Sequence, residues 1–134
     1  MRFLIGSDEA RPVVDHLARH LRERGHEAEI APVTAWGAMA RGIAERVARG
    51  EVDHGIVCCW TGTGASIAAN KVAGIRAALC GDAETARGAR KWNDANVLAL
   101  SLRLLSEPVA TEILDAWLDS RYEGTEDESL ALLK

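Results

Sequence analysis

The chain has 134 residues, 48% hydrophobic and 27% charged, which predicts a single domain with a genuine core. A net charge of −4 argues against a basic face for nucleic acid, and the opening MRFLIGSDE turns polar after five residues, too soon for a signal peptide or a membrane span. Three cysteines, two of them adjacent, cannot all pair and show no CxxC or Cys/His ligand spacing, so reduced thiols in a cytoplasm and no metal site are expected.

Residues 2–6 read as a short apolar strand ending in a turn at Gly6-Ser7-Asp8. Residues 9–24 have helical spacing, with Val13, Leu17 and Leu21 on one face, Pro12 in the first turn and Gly25 just past the end. His16 and His20 share a face of that helix, but no third ligand is near, so solvated side chains are expected rather than a metal pair. A weaker strand follows at 26–33, with Ala28 and Ile30 inward and Pro32 a further candidate. A helix over about 36–49 carries Met39, Ile43 and Val47 and closes at Gly50. The strand at 52–59 is the central one, and the helix after its glycine loop runs to about 72.

The apolar run at 75–80 reads as another strand, and 82–91 as a short helix with Asp82 at its N-cap. A fifth strand is expected at 95–99 and a helix from Pro108 to about Leu118. The tail at 123–134 is acidic, then apolar at Leu130, Leu132 and Leu133, which suits a small helix packing on a partner subunit. Five strands alternating with helices predict an α/β fold, a Rossmann-like three-layer αβα sandwich with a five-stranded parallel sheet. Ligands in such sheets bind beyond the carboxyl ends of the strands. The tips at Gly6-Ser7-Asp8, at 59–64 and at Gly81-Asp82 converge there. The segment at 92–96 is expected to fold over the same rim.

The most informative stretch is 56–71, IVCCWTGTGASIAANK. A buried strand, a glycine turn and a helix start aim backbone N–H groups at an anion. Cys59 stands at the strand tip beside that positive end, which favours a thiolate that can act as base or nucleophile. The same spacing also suits a tight βα loop with a buried structural cysteine. Side chains alternate along a strand, so one of Cys58 and Cys59 faces the site and the other is packed away.

Cys-x-Thr-Gly-x-Gly-x-Ser-Ile-Ala-Ala-Asn-Lys, followed by Ala73-Gly74-Ile75-Arg76-Ala77, resembles the signature of the ribose-5-phosphate isomerase B and galactose-6-phosphate isomerase family. Asn93-Asp94-Ala95-Asn96 resembles its second block, Trp117-Leu118 with Tyr122-Glu123-Gly124 its last, and Gly6-x-Asp8 its first. The resemblance implies a cofactor-independent aldose–ketose isomerase working through a cis-enediolate. It implies Cys59 as base, with Thr61 and Asn93 at family site positions. Such chemistry needs one base and donors for the developing oxyanion. The N–H groups of Gly62, Thr63, Gly64 and Ala65, with Ser66 behind them, are the candidate donors, and Asp8 can orient substrate hydroxyls. The resemblance also implies a homo-oligomer, dimer or tetramer, whose sites are each completed by the neighbouring subunit, and a sugar or sugar phosphate as ligand.

The departures are specific. The family's first block continues with His where this chain has Glu9, its ring-opening histidine is Trp92, and the glycine after its base is Trp60. The tail after Gly124 lacks the arginines that clamp a phosphate, and Arg103 alone remains of that set. Carboxylates in place of cations disfavour a dianion, so an altered sugar or sugar derivative is expected. The alternatives are an ordinary ribose-5-phosphate isomerase that holds its phosphate through Arg11, Arg87 or Arg90, and a non-catalytic sugar-binding or silent subunit. Trp60 and Trp92 offer aromatic faces to a sugar, and they equally suit a subunit interface.

Overall fold

A computed structural model describes residues 1–133; the last residue of the expected tail, Lys134, lies outside them. Five parallel strands, β1 (Arg2–Ser7), β2 (Glu27–Ile30), β3 (His54–Cys59), β4 (Ala77–Leu79) and β5 (Val97–Ser101), form one sheet in the order β2-β1-β3-β5-β4. The connecting helices are α1 (Pro12–Glu23), α2 (Trp36–Ala48), α3 (Thr63–Asn70), α4 (Ala83–Asn93) and α5 (Glu107–Leu118), with a single turn α6 (Asp127–Leu130) in the tail.

Strand alternation builds two cores. Phe3, Ile5, Ile56, Cys58, Leu98 and Leu100 face α1, α4 and α5. Leu4, Val57, Cys59, Val97 and Ala99 face α2 and α3. The result is the expected αβα sandwich. None of its helices, among the described residues, is long and apolar enough to cross a membrane.

Several boundaries differ from the sequence expectation, each for a local reason. The first helix starts at Pro12, not at residue 9, because the Ser7 hydroxyl bonds the backbone of Glu9 and holds a turn there. Strand β3 starts at His54, since the Asp53 carboxylate accepts from Arg2 N–H at 2.7 Å and bends the chain. Strand β4 is three residues rather than six because the Arg76 N–H goes to the Asn96 side chain at 2.8 Å. Helix α4 runs on to Asn93, where the left-handed Asp94 (φ 47°) stops it, so β5 begins at Val97. Pro32 lies past the end of β2 and is exposed.

Strand β1 is flanked by β2 on one side and β3 on the other, while α1 and α2 cover opposite faces. That change of direction opens a crevice beyond the carboxyl ends of β1 and β3. Ser7 pairs with Cys58 in the ladder, so the next residues, Asp8 and Cys59, enter the crevice side by side.

Candidate active site

Cys59 is the last residue of β3 and is 5% exposed, just beneath the surface of the crevice. It is therefore less open than a rim position would be, because its side chain turns toward α2 and α3 and packs with Val57, Ala65 and Ala99. Cys58 points the other way and is fully buried; burial first, then the neighbouring Cys59 and Asp8, pushes its thiol up to about 12. Cys80 is 2% exposed and its thiol is also pushed up to about 12, mainly by burial. Of the three thiols, Cys59 is the most accessible.

The loop after β3 turns on Gly62, whose φ of 77° lies in the left-handed region. A Cβ there would stand 2.6 Å from Leu79 and 2.9 Å from the Leu100 carbonyl carbon, so the turn needs glycine twice over. The Gly62 carbonyl accepts from Ser66 N–H at 3.1 Å and opens α3. No side chain caps this helix. Among the described residues no acceptor stands opposite the N–H groups of Thr63, Gly64 and Ala65. These three open donors begin the helix four residues after Cys59, at the same carboxyl end of the sheet. Gly64 also makes room for an aromatic ring: a Cβ there would lie 2.9 Å from Trp36, the first residue of α2. Sequence reasoning gave Trp36 only the start of a helix, although its position just after the β2 tip was a signal for the rim.

The other predicted residues divide between the two ends of the sheet. Thr61 and Thr63 share a hydroxyl bond of 2.8 Å at the loop's exposed edge. Asp8 is half-buried, and its Oδ1 is buried without a partner. Glu9 is exposed and accepts from Arg11 Nε at 2.7 Å, while the Arg11 guanidinium lies over the Trp60 ring, 5.1 Å from its centre. Trp60 is 48% exposed, and its carbonyl accepts from Arg103 N–H at 2.9 Å and from the Ser101 hydroxyl at 3.0 Å. Arg103 thus stands beside Trp60, exposed and without an ion pair among the described residues. Arg87 pairs with Glu84, and Arg90 with the Ala95 carbonyl, so neither reaches this rim.

Trp92 and Asn93 are elsewhere. Helix α4 starts after the carboxyl end of β4 and carries its last residues to the amino end of β5. The segment does not fold back over the rim; Asn93 is exposed at the opposite rim, where the chain passes through Asp94–Asn96 into β5. Trp92 is 48% exposed, folded over Gly88 on its own helix, with Lys91 5.5 Å from the ring centre. Asn93 borders a groove of about 740 Å³ that Leu132 and Leu133 also line. Within one chain, then, Cys59, Asp8 and the α3 donors meet, and Asn93 is left for something else to meet.

His16 and His20 are used in packing helix on helix. His16 bonds the Thr111 hydroxyl at 2.8 Å and His20 the Asp115 carboxylate at 2.7 Å, both across to α5. Among the described residues no three His, Cys, Asp or Glu side chains gather as metal ligands do.

The chain matches the family model described as Ribose/Galactose Isomerase over residues 3–131. It is 41% identical over 131 residues to ribose-5-phosphate isomerase B of Escherichia coli (strain K12), an alignment covering 92% of this chain and 87% of the relative. It is 36% identical over 129 residues to the galactose-6-phosphate isomerase subunit LacB of Clostridium acetobutylicum, covering 92% of this chain and 75% of that one. Among solved structures, ribose-5-phosphate isomerase B of Clostridium thermocellum superposes with a TM-score of 0.92 at 38% identity, over 98% of this chain and 93% of the other.

Proposed function

The chain belongs to the ribose/galactose isomerase family of aldose–ketose isomerases, and from that premise we propose that it isomerises a sugar phosphate with Cys59 as the base. The Cys59 thiolate takes the proton from C2 of the open-chain aldose. The electron pair moves into the carbonyl, and a cis-enediolate forms. Its oxyanion faces the N–H groups of Thr63, Gly64 and Ala65, the donors without an acceptor. The same thiol returns the proton to C1, and the hydroxyl proton passes from O2 to O1 by way of Thr61, which Thr63 orients. Asp8 holds a substrate hydroxyl. The observation that carries this reading is that the least buried of the three thiols, three open donors and a buried, partnerless Asp8 oxygen all stand at the carboxyl ends of β1 and β3.

Asn93 enters the reading through a second copy. Its position at the far rim supports a homo-oligomer in which one copy supplies Cys59 and another supplies Asn93 and Trp92. The exposed Leu132 and Leu133, 83% and 54% accessible, support the same assembly by giving it apolar surface to cover. Trp92 stands where ring opening is served by a histidine in the family, which favours a substrate that is acyclic or readily open.

The phosphate is the finer question. Glu9 and the acidic tail disfavour the family's usual clamp, so ribose 5-phosphate is expected to bind weakly. A second reading, an ordinary ribose-5-phosphate isomerase with its phosphate moved, has one observation behind it: Arg11 and Arg103 flank Trp60 on the crevice rim. Incubating the protein with a panel of aldose and ketose phosphates and free sugars in deuterated water tests both. Deuterium at C1 or C2 of a phosphorylated sugar is the expected result. No exchange with any sugar would leave a binding protein instead, and saturation by ribose 5-phosphate at micromolar concentration would select the second reading.

A further inference from the structure

The turn that leaves α4 is held more firmly than a helix end requires. Asn93 is the last helical residue and Asp94 follows at φ 47°, the one non-glycine residue with positive φ among those described. Glycine would cap this helix without strain, and a side chain in the left-handed region persists only where its surroundings over-determine it. Those surroundings are two guanidinium groups and an amide. Arg76 Nε donates to the Asp94 carbonyl at 2.7 Å, and Arg76 Nη2 lies 3.3 Å from Asp94 Oδ2. Arg90 Nη1 lies 3.7 Å from the other carboxylate oxygen and donates to the Ala95 carbonyl. Asn96 closes the opposite side, accepting from Arg76 N–H and donating to the Gly74 carbonyl at 3.1 Å.

Arg76 is the hub of this arrangement. It precedes the edge strand β4, and its backbone and side chain both serve the turn. A planar guanidinium that grips a carbonyl and a carboxylate together fixes orientation as well as position. What the turn carries outward is Asn93, exposed at the amino-end rim and bonded to nothing else among the described residues.

We propose that Arg76, gripping Asp94, is a positioning residue that aims Asn93 into the active site of a second copy of this chain. The inference rests on the shared-site reading above. It makes the effect of Arg76 appear in the partner's site and not in its own. A displacement of about 1 Å in a catalytic contact can cost on the order of 10²-fold in rate. Arg76→Ala is therefore expected to lower kcat by ten- to a hundredfold with KM little changed, while Arg76→Lys, which loses the Nε donor but keeps a charge, falls between.

The decisive test is complementation. Chains carrying Arg76→Ala and chains carrying Cys59→Ser are co-expressed with different tags, and the mixed dimer is purified on both. Each parent alone should be slow. In the mixed dimer one site has an intact Cys59 and a partner with an intact Arg76, so about half the wild-type rate should return. A loss of stability alone would not be restored in this pattern. The pair Asn93→Ala with Cys59→Ser is the reference. If that pair complements and the Arg76 pair does not, the role of Arg76 is overturned and the shared site stands. If neither complements, the shared-site reading falls and the positioning role with it. Full activity of Arg76→Ala alone would also overturn it. Should Arg76→Ala not fold, Asp94→Asn, which keeps a side chain tolerant of left-handed backbone, takes its place with the same outcomes.

Discussion

Two adjacent cysteines have opposite environments, and of the two only Cys59 is open enough for the base role proposed above. Cys58 is sealed between β3 and the α1, α4 and α5 layer, and its thiol sits near 12. Cys59 ends β3, keeps 5% exposure and is followed four residues later by the open N–H groups of α3. An alkylating reagent near neutral pH should therefore modify Cys59 first, with Cys58 and Cys80 following only on unfolding. Equal labelling of all three thiols in the native protein would contradict the assignment. Cys58→Ser should instead lower stability by about 1–3 kcal/mol, since its hydroxyl would be buried with no partner. His54 gives a second prediction at this scale. It is 8% exposed, accepts from Trp117 Nε1 at 3.0 Å, and burial, reinforced by Arg90, holds its pKa at about 4 against an ordinary 6.5. A depressed value in the folded state means that the unfolded chain binds the proton first. Stability is then fully present above pH 6.5, falls as the pH drops toward 4, and changes no further below that through this group. The full span is on the order of 3 kcal/mol. Thermal melts from pH 7 to pH 4 should show this slope in the wild type and a flatter one in His54→Asn; parallel slopes would remove His54 as the cause.

At the scale of elements, the strand β3, its loop and α3 form one device. Gly62, three residues after Cys59, makes the turn from which α3 starts. Gly62→Ala must strain a left-handed backbone and displace Leu79 or the β5 backbone. We expect a loss of roughly 1–3 kcal/mol in stability and a fall of about 10²-fold in kcat as the donors move. A variant with unchanged kcat would show that the N–H groups of Thr63 to Ala65 are not aimed at the reacting oxygen. The device was legible in the sequence because its parts are local: an apolar strand, two glycines and a small-residue helix lie in sixteen consecutive positions. The alternating cores were legible for the same reason, since period two is written into Phe3 to Ile5, Ile56 to Cys59 and Val97 to Leu100. What local pattern could not carry was the path of α4. Its end depends on Asp94, which is held by Arg90 one turn back and by Arg76, 18 positions away in the sequence. Those contacts hold Asn93 at the amino rim, to which the run of α4 between the parallel strands β4 and β5 brings it. The near-burial of Cys59 and the approach of Trp36 to Gly64 likewise depend on how α2 and α3 pack, which spacing alone does not state.

For the whole molecule, the division of predicted site residues between the two rims has one economical resolution, a second copy. The sheet faces are covered, and the exposed apolar side chains that remain include Trp36, Ile67, Leu132 and Leu133. Light scattering at micromolar concentration should report a dimer or a tetramer, and replacing Leu132 and Leu133 together by serine should shift it toward monomer with a loss of isomerase activity. A monodisperse wild-type monomer with full activity would contradict the assembly and the shared site together. Beside Trp60, Arg11 is held by Glu9 and stacked on the indole, so it is less available to an anionic ligand than a free arginine.

The most direct test of the central claim is proton exchange at the substrate carbon by Cys59→Ser. The change is small, lies at a strand end and should leave the melting temperature and the oligomeric state close to the wild type. A general base contributes roughly 10²- to 10⁴-fold. With the sugar phosphate that the wild type turns over best, the rate of deuterium incorporation from solvent should fall by at least that lower figure. A folded Cys59→Ser protein that exchanges within about tenfold of the wild type would show that this thiol is not the base.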